Sequence, residues 1–326
     1  MRRRTFLSAS LGSMSAIMAG CDRGQARLHS GTALAFGTIV RVAVVHASAA
    51  LAQAAIDAAL DQVHHVDELM SIHDARSQVW QLNAHGLVER PHADLLTVLR
   101  HAQALSALTR GAFDITVQPL WLAYKAAADG AGLPSAALRR QCCAMVGHRQ
   151  VRFDEQQVRL MGQHTAITLN GLAQGYAADL ALAAVRAHGI DHALLDTGEF
   201  AARGYRQDGQ PWTLGIADPR DPGAVAATFH LDGRSLATSG DYAAFFTPDF
   251  VHHHIFDPAT GASPTELASV SVLAPTAVLA DGLSTAFMVT GARRAHALAA
   301  SLKDVDVLTI NKRGVVWRSP RFPRAV

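Results

Sequence analysis

The chain has 326 residues, with 29 Lys and Arg against 27 Asp and Glu and a formal net charge of +2. Hydrophobic residues make up 49% and charged residues 17%, which excludes a disordered or polyelectrolyte chain and leaves a well-packed globular body. No block of Lys and Arg follows the first few residues, so a nucleic-acid-binding surface has no electrostatic footprint.

Residues 1–21 open with Arg2-Arg3-Arg4-Thr5-Phe6-Leu7, run through a short apolar stretch of small residues and reach Met18-Ala19-Gly20-Cys21. A charged start, a brief hydrophobic stretch and small residues before a cut describe a secretory signal. The run is too short and too rich in Ser, Gly and Ala for a membrane span. The paired arginines resemble a twin-arginine export signal. Met-Ala-Gly-Cys resembles a bacterial lipobox, in which Cys21 is lipidated and becomes the first mature residue; the alternative is an ordinary cut near Cys21. The expected location is the periplasmic side of the bacterial inner membrane, with a lipid anchor at Cys21. Residues 22–30 read as a tether and 31–326 as one composite domain, about the size one large core supports.

Ala35–His46 is β-branched and alternating, a strand pattern. Ala49–Met70 carries Ile56, Leu60, Val63, Val66 and Leu69 at helical spacing, a long amphipathic helix. Within it, His64-His65 reads as a solvated or capping pair rather than a ligand pair. Ser71–Asn83 is polar and turn-rich, and His92–Thr109 reads as a second helix with Asp94 near its start. Cys142 and Cys143 are adjacent and cannot staple distant segments, so they read as two partly buried thiols near a helix end. Val151–Leu160 and Thr165–Leu169 resemble short strands, and Gly175–His188 is a helix closed by Gly189. Ala193–Asp196, Trp212–Ala217, Thr228–Leu231, Val270–Leu273, Val305–Ile310 and Gly314–Trp317 are strand-like, with helices at Leu279–Val289 and Ala295–Leu302. Grouped strands without strict β-α alternation indicate α+β with largely antiparallel sheets.

Several segments could carry chemistry. Asp281 and Thr285 lie four apart on a predicted helix and project from one face. A carboxylate beside a hydroxyl suits a hard cation such as Mg2+, which combines few protein ligands with phosphate oxygens; the alternative is an Asp that caps the helix start. Thr238-Ser239-Gly240 offers two hydroxyls and a flexible glycine, or a plain turn. In His252–His254, an extended chain puts His252 and His254 on one face and His253 on the other, and a neutral imidazole near a phosphate can act as general base. Asp257 reads as a turn residue. Leu169–Tyr176 joins a strand to a helix through two glycines, an arrangement that can present a helix N-terminus to phosphate, although it matches no generic nucleotide motif. Gly111-Ala112-Phe113-Asp114 offers an aromatic ring and a carboxylate that either contact a flat cofactor or cap a helix.

Taken in order, these segments resemble the ApbE family of FAD:protein FMN transferases. The resemblance runs from about Ala35 to Arg318. It rests on F-G-T-I-V (Phe36–Val40), Met70–Asn83, G-A-F-D-I-T-V-Q-P-L (Gly111–Leu120), L-N-G-L-A-Q-G-Y-A-A-D (Leu169–Asp179), A-T-S-G-D-Y (Ala237–Tyr242), H-I-F-D-P-A-T-G-A-S-P (His254–Pro264) and A-D-G-L-S-T-A (Ala280–Ala286). It implies a T-fold-related domain that binds FAD with its pyrophosphate bridged by Mg2+. The FMN half passes to a Ser or Thr hydroxyl of a membrane-associated flavoprotein partner as a phosphoester, and AMP leaves. Position by position, Asp281, Thr285 and the carbonyl of Ala173 are the implied magnesium ligands and His254 the implied base. Ala112, Phe113, Asp114, Asn170, Tyr176, Thr238, Ser239 and Gly240 line the implied flavin site.

The chain departs from the family pattern at three places. Gln174 stands where Lys is usual, Gly198-Glu199-Phe200 where Gly-Gly-Asp is usual, and Phe36-Gly37-Thr38 where Met-Gly-Thr is usual. Asn-Gly-x-Ala-Gln-Gly together with Asp-x-Gly-Glu resembles the NosX-type branch that accompanies nitrous-oxide reductase. The sequence is also compatible with two other activities: hydrolysis of FAD to FMN and AMP, and flavin carriage without catalysis, which the loss of the Lys charge at Gln174 makes conceivable.

Overall fold

The structure is a computed structural model that describes residues 25–130, 132–221 and 223–326; the signal-like segment and Cys21 lie outside the described residues. Strands β1 (Arg27–Ala35) and β2 (Thr38–His46) form a hairpin, followed by α1 (Ala49–Met70), α2 (Gln78–His85), β3 (Leu87–Glu89) and α3 (Ala93–Leu108). Next come α4 (Gln118–Asp129), α5 (Ala136–Cys143), β4 (Val151–Phe153), β5 (Gln157–Leu160) and α6 (Ala173–Ala187). Strands β6 (Ala193–Asp196), β7 (Phe200–Arg203), β8 (Thr213–Ala217), β9 (Val225–His230), β10 (Ser235–Gly240) and β11 (Leu267–Ala274) precede α7 (Ala277–Thr290) and α8 (Ala292–Ser301). The chain closes on β12 (Asp306–Asn311) and β13 (Val316–Arg318).

Eight of these strands make one sheet in the order β1-β2-β6-β7-β10-β11-β12-β13, and every pair in it is antiparallel. Strands β3-β5-β4 and β8-β9 form two smaller antiparallel sheets. The fold is α+β, as the grouped strands indicate.

Side-chain alternation assigns each face of the large sheet its cover. Val42 and Val44 of β2, Ala237 of β10, Val272 of β11 and Val307 of β12 join the helices α1, α3, α6 and α7 in the main core. Their neighbours Val45, Leu236, Leu273 and Leu308 point the other way and meet Trp212, Leu214, Ile216 and Phe229 of the β8–β9 region. Strand β11 is buried along its whole length, which a strand covered on both faces requires. A third cluster joins Leu120, Tyr124, Cys142 and Phe256, so α4 and α5 pack against the segment after His254. Cys142 is buried and Cys143 half-buried, both free, at the end of α5. Among the described residues, no helix is long and apolar enough to cross a membrane.

Helix α1 has the bounds its periodicity predicts. Ser48 Oγ accepts from Leu51 N at 3.3 Å at its start, and Ile56, Val63 and Val66 are buried, each such burial stabilising the fold by about 1.5–3 kcal/mol. Four expectations need correction. Strand β1 begins at Arg27, inside the segment expected to be a tether. The strand expected over Ala35–His46 is interrupted by a turn at Phe36 and Gly37, which have φ of 52° and 70°, so alternation runs through a hairpin corner. The polar stretch Ser71–Asn83 contains the start of α2, nucleated where Ser77 Oγ accepts from Trp80 N at 2.9 Å. Thr165–Leu169 is no strand. The Asn83 amide takes the place of a pairing partner, accepting from Ile167 N at 2.7 Å and donating to Ile167 O at 2.8 Å.

Candidate active site

The site is built where α6 crosses α7 above the end of β10. Helix α7 starts with its first N–H groups held by Asp179 of α6: Ala277 N donates to Oδ1 at 2.8 Å and Val278 N to Oδ2 at 2.9 Å. Capping is therefore done by Asp179, and Asp281 is released from that role. The crossing is close because residue 175 is glycine; a Cβ there would come within 2.5 Å of Ala277 O. Gly175 N can then donate to Asp281 Oδ2 at 3.1 Å. Asp281 is only 4% exposed. Burial raises its carboxyl above the usual carboxylate range, the Gly175 bond opposes this, and the charge of Asp179 adds to it.

Thr285 lies one turn further along α7, on the same face. Its Oγ1 is 3.2 Å from Ser239 Oγ, and Ser239 Oγ shares a 2.7 Å hydrogen bond with Ser284 Oγ. Thr238 Oγ1 is bonded to Ser271 Oγ at 2.8 Å. Thr238, Ser239 and Gly240 thus form the end of strand β10, paired with Ser271, Val270 and Ser269 of β11, and not the turn that Ser-Gly-Asp also permits. Alternation along β10 turns Ser239 toward α7, while Thr238 points to the opposite face and bonds to Ser271 there. Gly171 lets the turn before α6 approach the same place: a Cβ there would lie 3.1 Å from Thr285 Oγ1 and 3.4 Å from the Phe113 ring. Phe113 is buried at this wall and Ala112 is half-buried beside it. Ala173, the first residue of α6, is buried.

Glu199 completes the ring of oxygens. It is 8% exposed, and its Oε2 accepts from Thr238 N at 3.0 Å. Burial, followed by the charge of Asp281, holds its carboxyl well above the usual range. Gln174, in the position where Lys is usual, points to the same turn: its Nε2 donates to Thr197 O at 2.8 Å and Thr197 Oγ1 donates to Gln174 O at 2.9 Å. Buried carboxylates facing several hydroxyls form a hard-oxygen donor set, and such a set suits Mg2+. A buried charge needs a counter-charge, so Asp281, with the Thr285 hydroxyl on the same face, fits the cation that the resemblance implies.

The histidine segment follows β10 directly. Asp241, fully buried, pairs with Arg220 (Nη1–Oδ1 2.8 Å, Nη2–Oδ2 2.7 Å) and with Lys312 Nζ. Lys312 also donates to Phe250 O at 2.8 Å, fixing the loop that leads to His254. Alternation along His252–His254 is as an extended chain requires: His252 and His254 are half-buried and His253 is fully buried between them. His254 Nδ1 lies 3.0 Å from Ala244 O. A carbonyl only accepts, so Nδ1 carries the proton and Nε2 keeps its lone pair. Burial lowers the pKa of His254, so the ring is neutral near pH 7 and suited to accept a proton. Asp257 is a turn residue, accepting from Ala259 N at 2.9 Å and from Thr260 Oγ1 at 2.9 Å.

Two of the expected flavin-lining residues spend their polar atoms on other protein groups. Asp114 spends its carboxylate locally: Oδ1 accepts from Thr116 N at 2.8 Å and Thr116 Oγ1 at 2.6 Å, and Oδ2 from His148 N at 2.8 Å. It is a buried cap that shapes the Phe113 wall. Tyr176 is buried, with its hydroxyl donating to Asp94 Oδ1 of α3 at 2.6 Å. Asn170 is exposed, on the turn before α6. Sequence reasoning assigned no role to Asp179 or Ser284, and read Gly175 only as one of two glycines leading into a helix. The signal for Asp179 was its place at the end of Leu169–Asp179; its partners lie too far along the chain to be read from spacing.

Residues 36–309 match the model of the ApbE family. The chain is 30% identical over 340 residues to a FAD:protein FMN transferase of Klebsiella pneumoniae, covering 98% of this chain and 97% of that protein. It is also 30% identical over 311 residues to one of Vibrio cholerae, covering 91% of each. The crystal structure of the ApbE protein of Thermotoga maritima superposes with a TM-score of 0.81 at 28% identity, covering 90% of this chain and 97% of that one. The flavinyl transferase ApbE of Pseudomonas stutzeri in its apo form gives 0.79 at 27% identity, covering 92% and 96%. With the Asp281–Thr285–Ser239 cluster, the buried Phe113 wall and the His254 segment in place, the chain belongs to the ApbE family.

Proposed function

We propose that this protein transfers the FMN half of FAD to a Ser or Thr hydroxyl of an extracytoplasmic flavoprotein, in a Mg2+-dependent reaction that releases AMP. The observation that carries the reading is the cluster of Asp281, Thr285 and Ser239, hard donors brought together by the crossing of α6 with α7 and the pairing of β10 with β11. Asp281, Thr285 and the Ala173 carbonyl would hold Mg2+. When bound, Mg2+ neutralises charge on the pyrophosphate as it develops. Phe113 offers the isoalloxazine an apolar wall, and the hydroxyl of Ser239 offers a donor to phosphate oxygens. In the chemical step the acceptor oxygen bonds to the FMN phosphorus while its proton passes to His254 Nε2. The bond from that phosphorus to the bridging oxygen breaks, and AMP leaves with that oxygen.

The signal-like residues 1–21 support export and a lipid anchor at Cys21, which places the acceptor on the outer side of the inner membrane. Asp-x-Gly-Glu at Asp196–Glu199 supports an acceptor of the nitrous-oxide-reductase accessory type. The test mixes purified protein, FAD, Mg2+ and a candidate acceptor domain. Flavin fluorescence on the acceptor band in a denaturing gel, with stoichiometric AMP, is the expected result. AMP with free FMN would make the protein a hydrolase, and unchanged FAD would overturn catalysis altogether.

A further inference from the structure

Helices α1, α3 and α6 meet at a second cluster of donor atoms. His65 of α1 has Nε2 2.8 Å from Asp94 Oδ2, and His92, just before α3, has Nδ1 3.3 Å from the same oxygen. The two imidazole rings are 4.7 Å apart, edge to face. One donor atom from each of the three residues lies within 4.8 Å of the others. His64, the neighbour of His65, is exposed and takes no part.

We propose that His65, His92 and Asp94 form a binding site for a borderline transition-metal dication, with Zn2+ the best fit. Donors bound to Zn2+ at about 2.0–2.1 Å in a tetrahedron stand roughly 3.3 Å apart, close to the 2.8 and 3.3 Å separations of Asp94 Oδ2 from the two histidines. Two imidazoles and a carboxylate favour Zn2+ and its neighbours over Mg2+, which takes oxygen. The cluster therefore selects a different ion from the one suited to Asp281.

Asp94 is already oriented for the role. Tyr176 donates its hydroxyl to Oδ1 at 2.6 Å, which leaves Oδ2 toward the histidines; a hydrogen bond of this kind behind a ligand is what fixes metal-binding carboxylates. The side chains of His65, His92 and Asp94 are 35%, 47% and 23% exposed, so an ion can enter and a fourth position is open to water. Without metal, His65 bonds to Asp94, and His92 Nδ1 accepts from Asp94 N at 3.2 Å; the ion replaces both. Binding would clamp α1 to α3 and, through Tyr176, tie both to α6, the helix that starts at Ala173. It would act on the fold and on α6 rather than on a substrate.

The test is a Zn2+ titration of the full chain, stripped of metal and freed of any affinity tag, against a chromogenic chelator in millimolar Mg2+. One tight equivalent is expected. His65→Gln, which can still bond to Asp94, should weaken it at least tenfold. Adding His92→Asn, which can still cap α3, should weaken it at least a hundredfold, with unchanged circular dichroism and metal-free melting. Co2+ in place of Zn2+ should give visible absorption that the double variant lacks. Asp281→Asn should leave the Zn2+ equivalent intact. No tight equivalent in the wild type, equal binding in the double variant, or loss of binding in Asp281→Asn would each overturn the proposal.

Discussion

The backbone N–H of Gly175 donates to Asp281 Oδ2 at 3.1 Å across the crossing of α6 and α7. The bond exists because no side chain separates the two backbones: a Cβ on residue 175 would meet Ala277 O at 2.5 Å and Val278 Cα at 2.8 Å. Gly175→Ala should therefore push the helices apart, costing about 1–3 kcal/mol of stability, and should weaken Mg2+ dependence more than FAD binding. Thermal melting and a Mg2+ titration of turnover check both effects.

Asp281→Asn keeps the shape and the Gly175 bond but removes the charge. It should lower Mg2+-dependent turnover by about two orders of magnitude or more, in the range of losing a key electrostatic contact, while melting at or above the wild-type temperature without metal. Full activity in this variant would sink the cation assignment.

His254→Ala should spare FAD binding, measured by flavin fluorescence quenching, and slow transfer by about 10²–10⁴-fold, the usual contribution of a general base. An unaltered single-turnover rate would remove His254 from the step.

His253 gives the fold an acid limit. Burial, opposed by its bond to Pro264 O, lowers its pKa from 6.5 to about 4. The folded state therefore binds fewer protons than the unfolded chain between these values. Its contribution is fully present above pH 6.5 and is lost as the pH falls toward 4, a change on the order of 3 kcal/mol. Denaturant unfolding at pH 7 and pH 4.5 should show a smaller difference in His253→Met than in the wild type.

Asp179→Ala should destabilise α7 by about 1–3 kcal/mol, because Ala277 N and Val278 N lose the carboxylate that accepts from both in a buried setting. Asp179→Asn, with one oxygen remaining, should recover part of the loss. Hydrogen exchange at the start of α7 reports it directly.

Much of the site was legible because its donors sit close together in sequence: Asp281 and Thr285 one turn apart, and His252 to His254 alternating. The long apolar stripe of α1 was legible for the same reason. What was not legible depended on distant partners. Nothing near Thr238-Ser239-Gly240 distinguishes a turn from a strand end; pairing with Val270 and Ser271 decides it. Tyr176 and Asp114 belong to the family motifs, yet Asp94 and His148, remote in sequence, determine where their polar atoms point. Helix α2 was hidden in polar residues because Ser77 starts it by capping rather than by an apolar pattern. Asn83 imitates a strand partner for Ile167, which local periodicity cannot reveal.

Asp241 has a consequence for how the enzyme tolerates change. Its buried carboxylate draws together Arg220, ahead of β9, and Lys312, just past β12, and Lys312 in turn holds the backbone at Phe250. The position of His254 thus depends on charges contributed from the far C-terminal part of the chain. A neutral residue at position 312 would leave the Asp281–Thr285–Ser239 cluster untouched and still let the His254 segment drift, so inherited variation near the C-terminus can shift one part of the site without disturbing the other.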